Sequence, residues 1–238
     1  MSALRELVLL RHTESRWNKD GRFTGWADIR LSEYGNDEAD LVGAILEHNM
    51  VSFDVCYTSL LARPIQTLHR ILEKMDLLWL PVHKTWRLNE RHYGGLTGLY
   101  KAEAEEQFGK EQILRWRRGF KDRPPEITPE AQSLLRIGGL RYPPDLIIPK
   151  TESLEDTLER IRPYWREEIL PALLQNKRPI IISHGNTMRA MMMGLDGLSE
   201  REVEDLEIPK GRPIRYKLIV SGEENDIQYR VVSKEYLK

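Results

Sequence analysis

The sequence predicts an α/β fold, a three-layer sandwich in which a mostly parallel central sheet is flanked by helices. Two observations predict it. Short apolar runs at residues 7–10, 55–58 and 180–183 give way at once to polar residues, as buried parallel strands do. Stretches of helical periodicity follow the runs, so strand and helix alternate along the chain.

In chain order, residues 7–10 form the first strand, and residues 32–48 an amphipathic helix with Ser32 as its N-cap. Val55–Thr58 is a second strand, leading through Ser59 into a helix that runs to about Met75. Pro64 is tolerable there only within the first turn. Residues 79–82 suit a short edge strand, because Pro81 cannot donate to a ladder. Residues 101–108 and 111–120 are helical. Six prolines and the pair Gly138-Gly139 mark residues 121–150 as an irregular insertion, of a length that often serves as a lid. A long helix over 152–175 opens with a capping-box pattern at Ser153 and Asp156. Residues 180–183 are the third central strand, and 187–195 the helix after it. Residues 214–220 and 227–232 read as a terminal hairpin turning across Gly222 and Asn225-Asp226. Alternation resumes on both sides of the insertion, so residues 1–238 are expected to form one domain.

Composition narrows the function. Charged residues make up 31% of the chain and hydrophobic ones 40%, ordinary values for a soluble enzyme. A net charge of −1 excludes a broad basic field for nucleic acid, so any anion site must be a local cluster. Cys56 is the only cysteine, which excludes an intramolecular disulfide and reads as a small buried filler. The apolar core of residues 1–11 is too short for a signal peptide, and no run approaches membrane-spanning length. A cytoplasmic protein is expected.

Two of the strands end on histidine. The first runs into Arg11-His12-Thr13-Glu14-Ser15, the third into Ser183-His184-Gly185-Asn186. In open α/β sheets ligands bind beyond the carboxyl ends of the strands, so both imidazoles are expected in one crevice with Arg11 beside them. One histidine at a strand end reads as a structural hydrogen bond; two in such settings outline phosphoryl transfer. A neutral His12 can attack phosphorus and carry the group covalently. Arg11 would keep it neutral and stabilise the transferring oxygens. His184, protonated, would donate to a phosphoryl oxygen. Arg63 sits near the start of the helix after the second strand, where helix amides and a guanidinium can jointly hold phosphate. No metal is expected: two histidines are too few, no third ligand has suitable spacing, and Arg11 would repel a divalent cation.

The two histidine motifs resemble the signatures of the histidine phosphatase (phosphoglycerate mutase-like) superfamily. Phe23-Thr24-Gly25-Trp26, the run from Leu88 through Asn89-Glu90-Arg91-His92-Tyr93 to Gly95, and Trp116-Arg117-Arg118 resemble the 2,3-bisphosphoglycerate-dependent phosphoglycerate mutases in particular. The similarity spans about residues 7–218. It implies a phosphohistidine at His12, with Arg11 and His184 in the roles given above and Glu90 as general acid/base. It implies substrate contacts from Asn18, Thr24, Gly25, Arg63, Arg91, Tyr93, Lys101, Arg117, Arg118, Gly185 and Asn186. The implied reaction interconverts 3- and 2-phosphoglycerate in glycolysis and gluconeogenesis, with 2,3-bisphosphoglycerate as priming phosphoryl donor, in a dimer or tetramer. A phosphatase acting on bisphosphoglycerate or another small phosphorylated metabolite is the alternative. A non-catalytic binding protein on the same scaffold would have no need of the His12, Glu90, His184 set.

Departures from the mutase pattern surround the site. Thr13 replaces a glycine and would narrow the pocket or add a hydroxyl. Tyr100 replaces an asparagine, Pro64 an alanine, and Lys210-Gly211-Arg212-Pro213 a threonine-glycine turn. The chain also lacks the Ala- and Lys-rich tail of many relatives, which excludes water from the site; hydrolysis of the phosphohistidine is expected to gain.

Overall fold

A computed structural model describes residues 3–223 and 226–238. The elements in order are β1 (Ala3–Arg11), α1 (Arg16–Lys19), α2 (Glu33–His48), β2 (Val55–Thr58), α3 (Ala62–Lys74), β3 (Val82–Lys84), α4 (Lys101–Phe108) and α5 (Lys110–Arg118). There follow α6 (Pro129–Leu134), α7 (Leu154–Tyr164), α8 (Leu170–Leu174), β4 (Pro179–Ser183), α9 (Gly185–Asp196), α10 (Glu200–Asp205), β5 (Ile214–Glu223) and β6 (Asp226–Tyr236). The strands form one sheet in the order β3-β2-β4-β1-β5-β6. The first four are mutually parallel, while β5 and β6 add an antiparallel hairpin.

Period-two alternation in fully buried strands sends side chains to two cores. Val8, Leu10, Ile180 and Ile182 meet Val42 and Leu46 of α2 and Leu68, Ile71 and Leu72 of α3 on one face. Leu7, Leu9 and Ile181 meet Leu158 of α7, Leu170 and Leu173 of α8 and Met188 and Met192 of α9 on the other. These are the three layers the sequence predicts.

Local chemistry explains the boundaries. Ser32 caps α2 by accepting from the Gly35 N–H, and Ser153 and Asp156 form the capping box of α7. Pro64 falls in the first turn of α3. Three expectations are corrected. The edge strand is β3, beginning at Val82: Pro81 joins it only as an acceptor, from the Cys56 N–H at 3.0 Å, and Trp79 lies in the preceding turn. The long helix is broken by a π-helical turn over Trp165–Ile169, between Pro163 and Pro171, whose missing N–H groups cannot continue the α-helical ladder. The insertion contains α6 and is a buttress: Ile127, Ile137 and Tyr142 pack on Trp26, and none of residues 121–150 lines the cavity described below. The expected turn at Asn225 lies outside the described residues. No helix among the described residues is long and apolar enough to cross a membrane.

Candidate active site

The parallel pairing of β1 with β4 sets Arg11 opposite Ser183, and the His12 N–H donates to the Ser183 carbonyl at 2.9 Å. His12 and His184 therefore leave the sheet side by side, ring centroids 5.1 Å apart and nearly perpendicular. Both are buried. His12 Nδ1 lies 2.6 Å from the Thr13 carbonyl, which can only accept. The proton thus sits on Nδ1, and Nε2 keeps its lone pair for attack. Burial, then the charges of Arg63 and Arg11, hold the pKa of His12 well below the usual histidine range.

His184 Nε2 lies 2.9 Å from Ser59 Oγ, and its Nδ1 has no partner among the described residues. Burial, Arg63 and His12 hold this imidazole neutral as well. A phosphoryl dianion beside it would supply the charge that makes a second proton favourable.

Arg63, in the first turn of α3, is buried with Nη1 on the Ala27 carbonyl (3.0 Å) and Nη2 on the Gly25 carbonyl (2.7 Å). Burial brings its pKa down to about 10, so it remains a cation at neutral pH. Gly25 adopts φ +50°, and a Cβ there would stand 3.0 Å from the Tyr93 backbone nitrogen, so the turn requires glycine. Arg11 Nη1 donates to the Ile208 carbonyl at 2.6 Å. Thr13 faces away from the cavity: its Oγ1 donates to the Gly35 carbonyl at 2.7 Å, so it neither narrows the pocket nor adds a donor to it.

Glu90 is fixed through Oε1, which accepts the Arg91 N–H at 2.9 Å and the Asn186 N–H at 3.1 Å. The second donor belongs to the first turn of α9, where amides favour negative charge. Asn186 Nδ2 donates onward to the Tyr93 hydroxyl at 3.0 Å.

The cavity is lined by Arg11, His12, Asn18, Thr24, Gly25, Arg63, Glu90, Tyr93, Lys101, Arg117, Arg118, Gly185 and Asn186, all expected from the sequence. Arg91 is not on its wall. It is fully buried, with Nη2 on the Arg117 carbonyl at 3.0 Å and its guanidinium over the Tyr93 ring. His184 also lies behind the wall, against His12. Arg22, Phe23, Arg189, Glu207 and Ile208 line the cavity without having been singled out. Arg189 carried a signal, since it follows Asn186 by one helical turn and shares its face, where Nη1 donates to Asn186 Oδ1 at 3.1 Å. Glu207 and Ile208 lie in an irregular segment with no periodicity to mark them. Burial, then Arg117, lowers the pKa of Lys101.

Among the described residues, seven cations thus face the cavity against two carboxylates. That balance suits a small ligand with more than one anionic group.

The chain matches the histidine phosphatase superfamily (branch 1) over residues 7–225. It belongs to that superfamily. Solved structures of the same fold include a mycobacterial protein named hydrolase 1, 22% identical, covering 97% of this chain and 98% of its own, TM-score 0.70. A mycobacterial glucosyl-3-phosphoglycerate phosphatase in complex with VO3 is 22% identical, with coverage of 96% and 98% and a TM-score of 0.71. The alpha-ribazole phosphatase of Shigella flexneri is 21% identical, with coverage of 95% of each chain and a TM-score of 0.64.

Proposed function

We propose that this histidine phosphatase superfamily member moves phosphoryl groups through a phosphohistidine at His12, as a 2,3-bisphosphoglycerate-dependent phosphoglycerate mutase. The observation that carries the reading is a carboxylate, Glu90, held on two backbone N–H groups inside a ring of seven cations around a neutral histidine. His12 Nε2 forms a bond to phosphorus as the phosphorus–oxygen bond of the bisphosphate breaks, and Glu90 protonates the leaving alkoxide. That monophosphate gives way to its isomer, Glu90 takes the proton from the isomer's single free hydroxyl, and the phosphoryl group passes from nitrogen to that oxygen, regenerating the bisphosphate. Arg11 and Arg63 meet the charge on the transferring oxygens. Lys101, Arg117, Arg118 and Arg189 serve the remaining phosphate and carboxylate.

The donor set fits the bisphosphate as priming donor. Arg11 Nε and Thr24 Oγ1, of two residues that line the cavity, are buried without partners among the described residues, and anionic oxygens would supply them. The same reading makes the protein a cytoplasmic homo-oligomer.

The comparisons lean to a second reading, a phosphatase of a small phosphorylated metabolite. Two of the structures just described are named as phosphatases, and in that reading water takes the phosphoryl group from His12. The deciding experiment supplies 3-phosphoglycerate with and without catalytic 2,3-bisphosphoglycerate and follows 2-phosphoglycerate and free phosphate together. Bisphosphate-dependent isomerisation with little phosphate is the expected result. Phosphate release without isomerisation would replace the mutase by the phosphatase.

A further inference from the structure

Residues 89–92 carry Glu90 and its neighbours, yet they belong to no strand or helix. Their backbone is held by buried side chains from α7 and the residues just before it. Arg160, within α7, donates through Nη1 to the Arg87 carbonyl (2.6 Å) and through Nη2 to the carbonyls of Asn89 (2.9 Å) and Glu90 (3.0 Å). Its Nε and Nη2 also grip the two oxygens of Glu152, at 2.7 and 3.1 Å. Glu152 in turn accepts the His92 N–H at 2.8 Å and returns its own N–H to the His92 carbonyl at 2.9 Å. One ion pair thus holds the chain on both sides of Glu90: the guanidinium takes the carbonyls leading up to it, the carboxylate the amide two residues beyond. Both side chains are more than nine-tenths buried, and neither lines the cavity.

A buried ion pair is weak evidence for stability, because desolvation offsets much of its attraction. The five-donor fork of arginine, however, can satisfy several backbone carbonyls in one fixed geometry, which a lysine cannot. Here the carbonyls it satisfies are those of the segment that aims the acid/base.

We propose that Arg160 and Glu152 are positioning residues that set the placement of Glu90, and through it the delivery of a proton to the leaving oxygen. The inference rests on the reading that Glu90 is the general acid/base of transfer through His12. It separates two kinds of phosphoryl donor. When 2,3-bisphosphoglycerate phosphorylates His12, the nitrogen–phosphorus bond forms, the phosphorus–oxygen bond breaks, and the alkoxide needs a proton from Glu90. When acetyl phosphate is the donor, the same bonds form and break, but acetate leaves as a stable anion and needs none.

The test measures the rate of radiolabelled phosphohistidine formation from each donor in the wild type, Arg160→Lys, Glu152→Gln, Glu90→Gln and the Arg160→Lys/Glu90→Gln double variant. Thermal melts check the fold of each. Arg160→Lys should lose about 10²-fold with bisphosphoglycerate, the scale of a misplaced general acid, while its rate with acetyl phosphate stays near the wild-type value. Glu152→Gln, of unchanged size, should show the same donor-selective loss should the lysine variant fail to fold. Adding Arg160→Lys to Glu90→Gln should cost nothing further with bisphosphoglycerate. Equal losses with both donors, or no loss with either, would overturn the proposal while leaving phosphohistidine chemistry intact. A wild-type protein labelled by neither donor would instead overturn the reading of His12.

Discussion

His12 owes its reactive form to one carbonyl and two arginines. The Thr13 oxygen fixes the tautomer, and burial with Arg63 and Arg11 keeps the ring neutral, so the attacking nitrogen needs no deprotonation at physiological pH. His12→Ala should therefore abolish phosphohistidine formation, measured by radiolabel transfer, with the protein still folded. Arg63→Met, similar in reach but uncharged, should lower kcat by about 10²–10³, the usual loss when one preorganised donor to a transition state is removed. Steady-state kinetics checks this, and a fall below tenfold would show that Arg11 alone meets the transferring charge. Arg11, His12, Arg63 and His184 were legible in the sequence because they follow short strands whose ends must converge, whereas Glu90, outside every strand and helix, was legible only through the resemblance of residues 88–95. Arg160 was not: mid-helix, with hydrogen bonds spanning some seventy positions of chain, it looks like any solvated arginine until the fold brings residues 87–92 to it.

At the scale of elements, the helices α2 and α3 follow from apolar periodicity, and α2 also from its Ser32 cap, since each buries one stripe against one sheet face, while β2, buried on both faces, follows from its short unbroken apolar run. The break between α7 and α8 was less legible because apolar spacing runs through it, and only Pro163 and Pro171 marked it. The packing of the insertion was not legible, because proline and glycine content reports irregular backbone, not the Trp26 surface on which it rests. The docking of α2 on the loop after β1 is tight enough to test. A Cβ added at Gly35 would come within 2.0 Å of the Glu14 carbonyl oxygen, where Thr13 Oγ1 also donates to Gly35. Gly35→Ala is helix-favouring by intrinsic propensity, so in isolation it should stabilise α2. Overpacking against rigid backbone is the larger effect, and urea unfolding should show a net loss of about 1–3 kcal/mol. A neutral or stabilising result would mean that the loop carrying Thr13 and Glu14 yields readily.

For the whole molecule, building the site into the sheet's end leaves three buried imidazoles in one fold: His12, His92 and His184. All are held neutral chiefly by burial; His92 is brought down to about 4, with Arg160 as the second cause. His92 Nδ1 accepts the Gly94 N–H at 2.9 Å, a bond that a second ring proton would destroy. In the unfolded chain each of these rings binds a proton below about pH 6.5, whereas the folded chain excludes it. The unfolded state therefore holds more protons in this window, and stability must fall as pH is lowered through it. Each ring contributes a slope of up to about 1.4 kcal/mol per pH unit, and the three together about 4, until the folded-state values are reached. For His92 the loss ends near pH 4. Urea titrations between pH 7.5 and 5, in buffers free of phosphate so that no anion stabilises the folded site, should show this steep decline. His92→Asn replaces the ring by a group whose oxygen can accept the same N–H and which does not titrate. Between pH 6 and 5 its stability should fall less steeply than that of the wild type by about 1.2 kcal/mol, since the unfolded ring is not yet fully protonated at pH 6. Parallel declines in the two proteins would show that His92 takes up its proton without unfolding, and that the acid sensitivity resides in the catalytic pair alone.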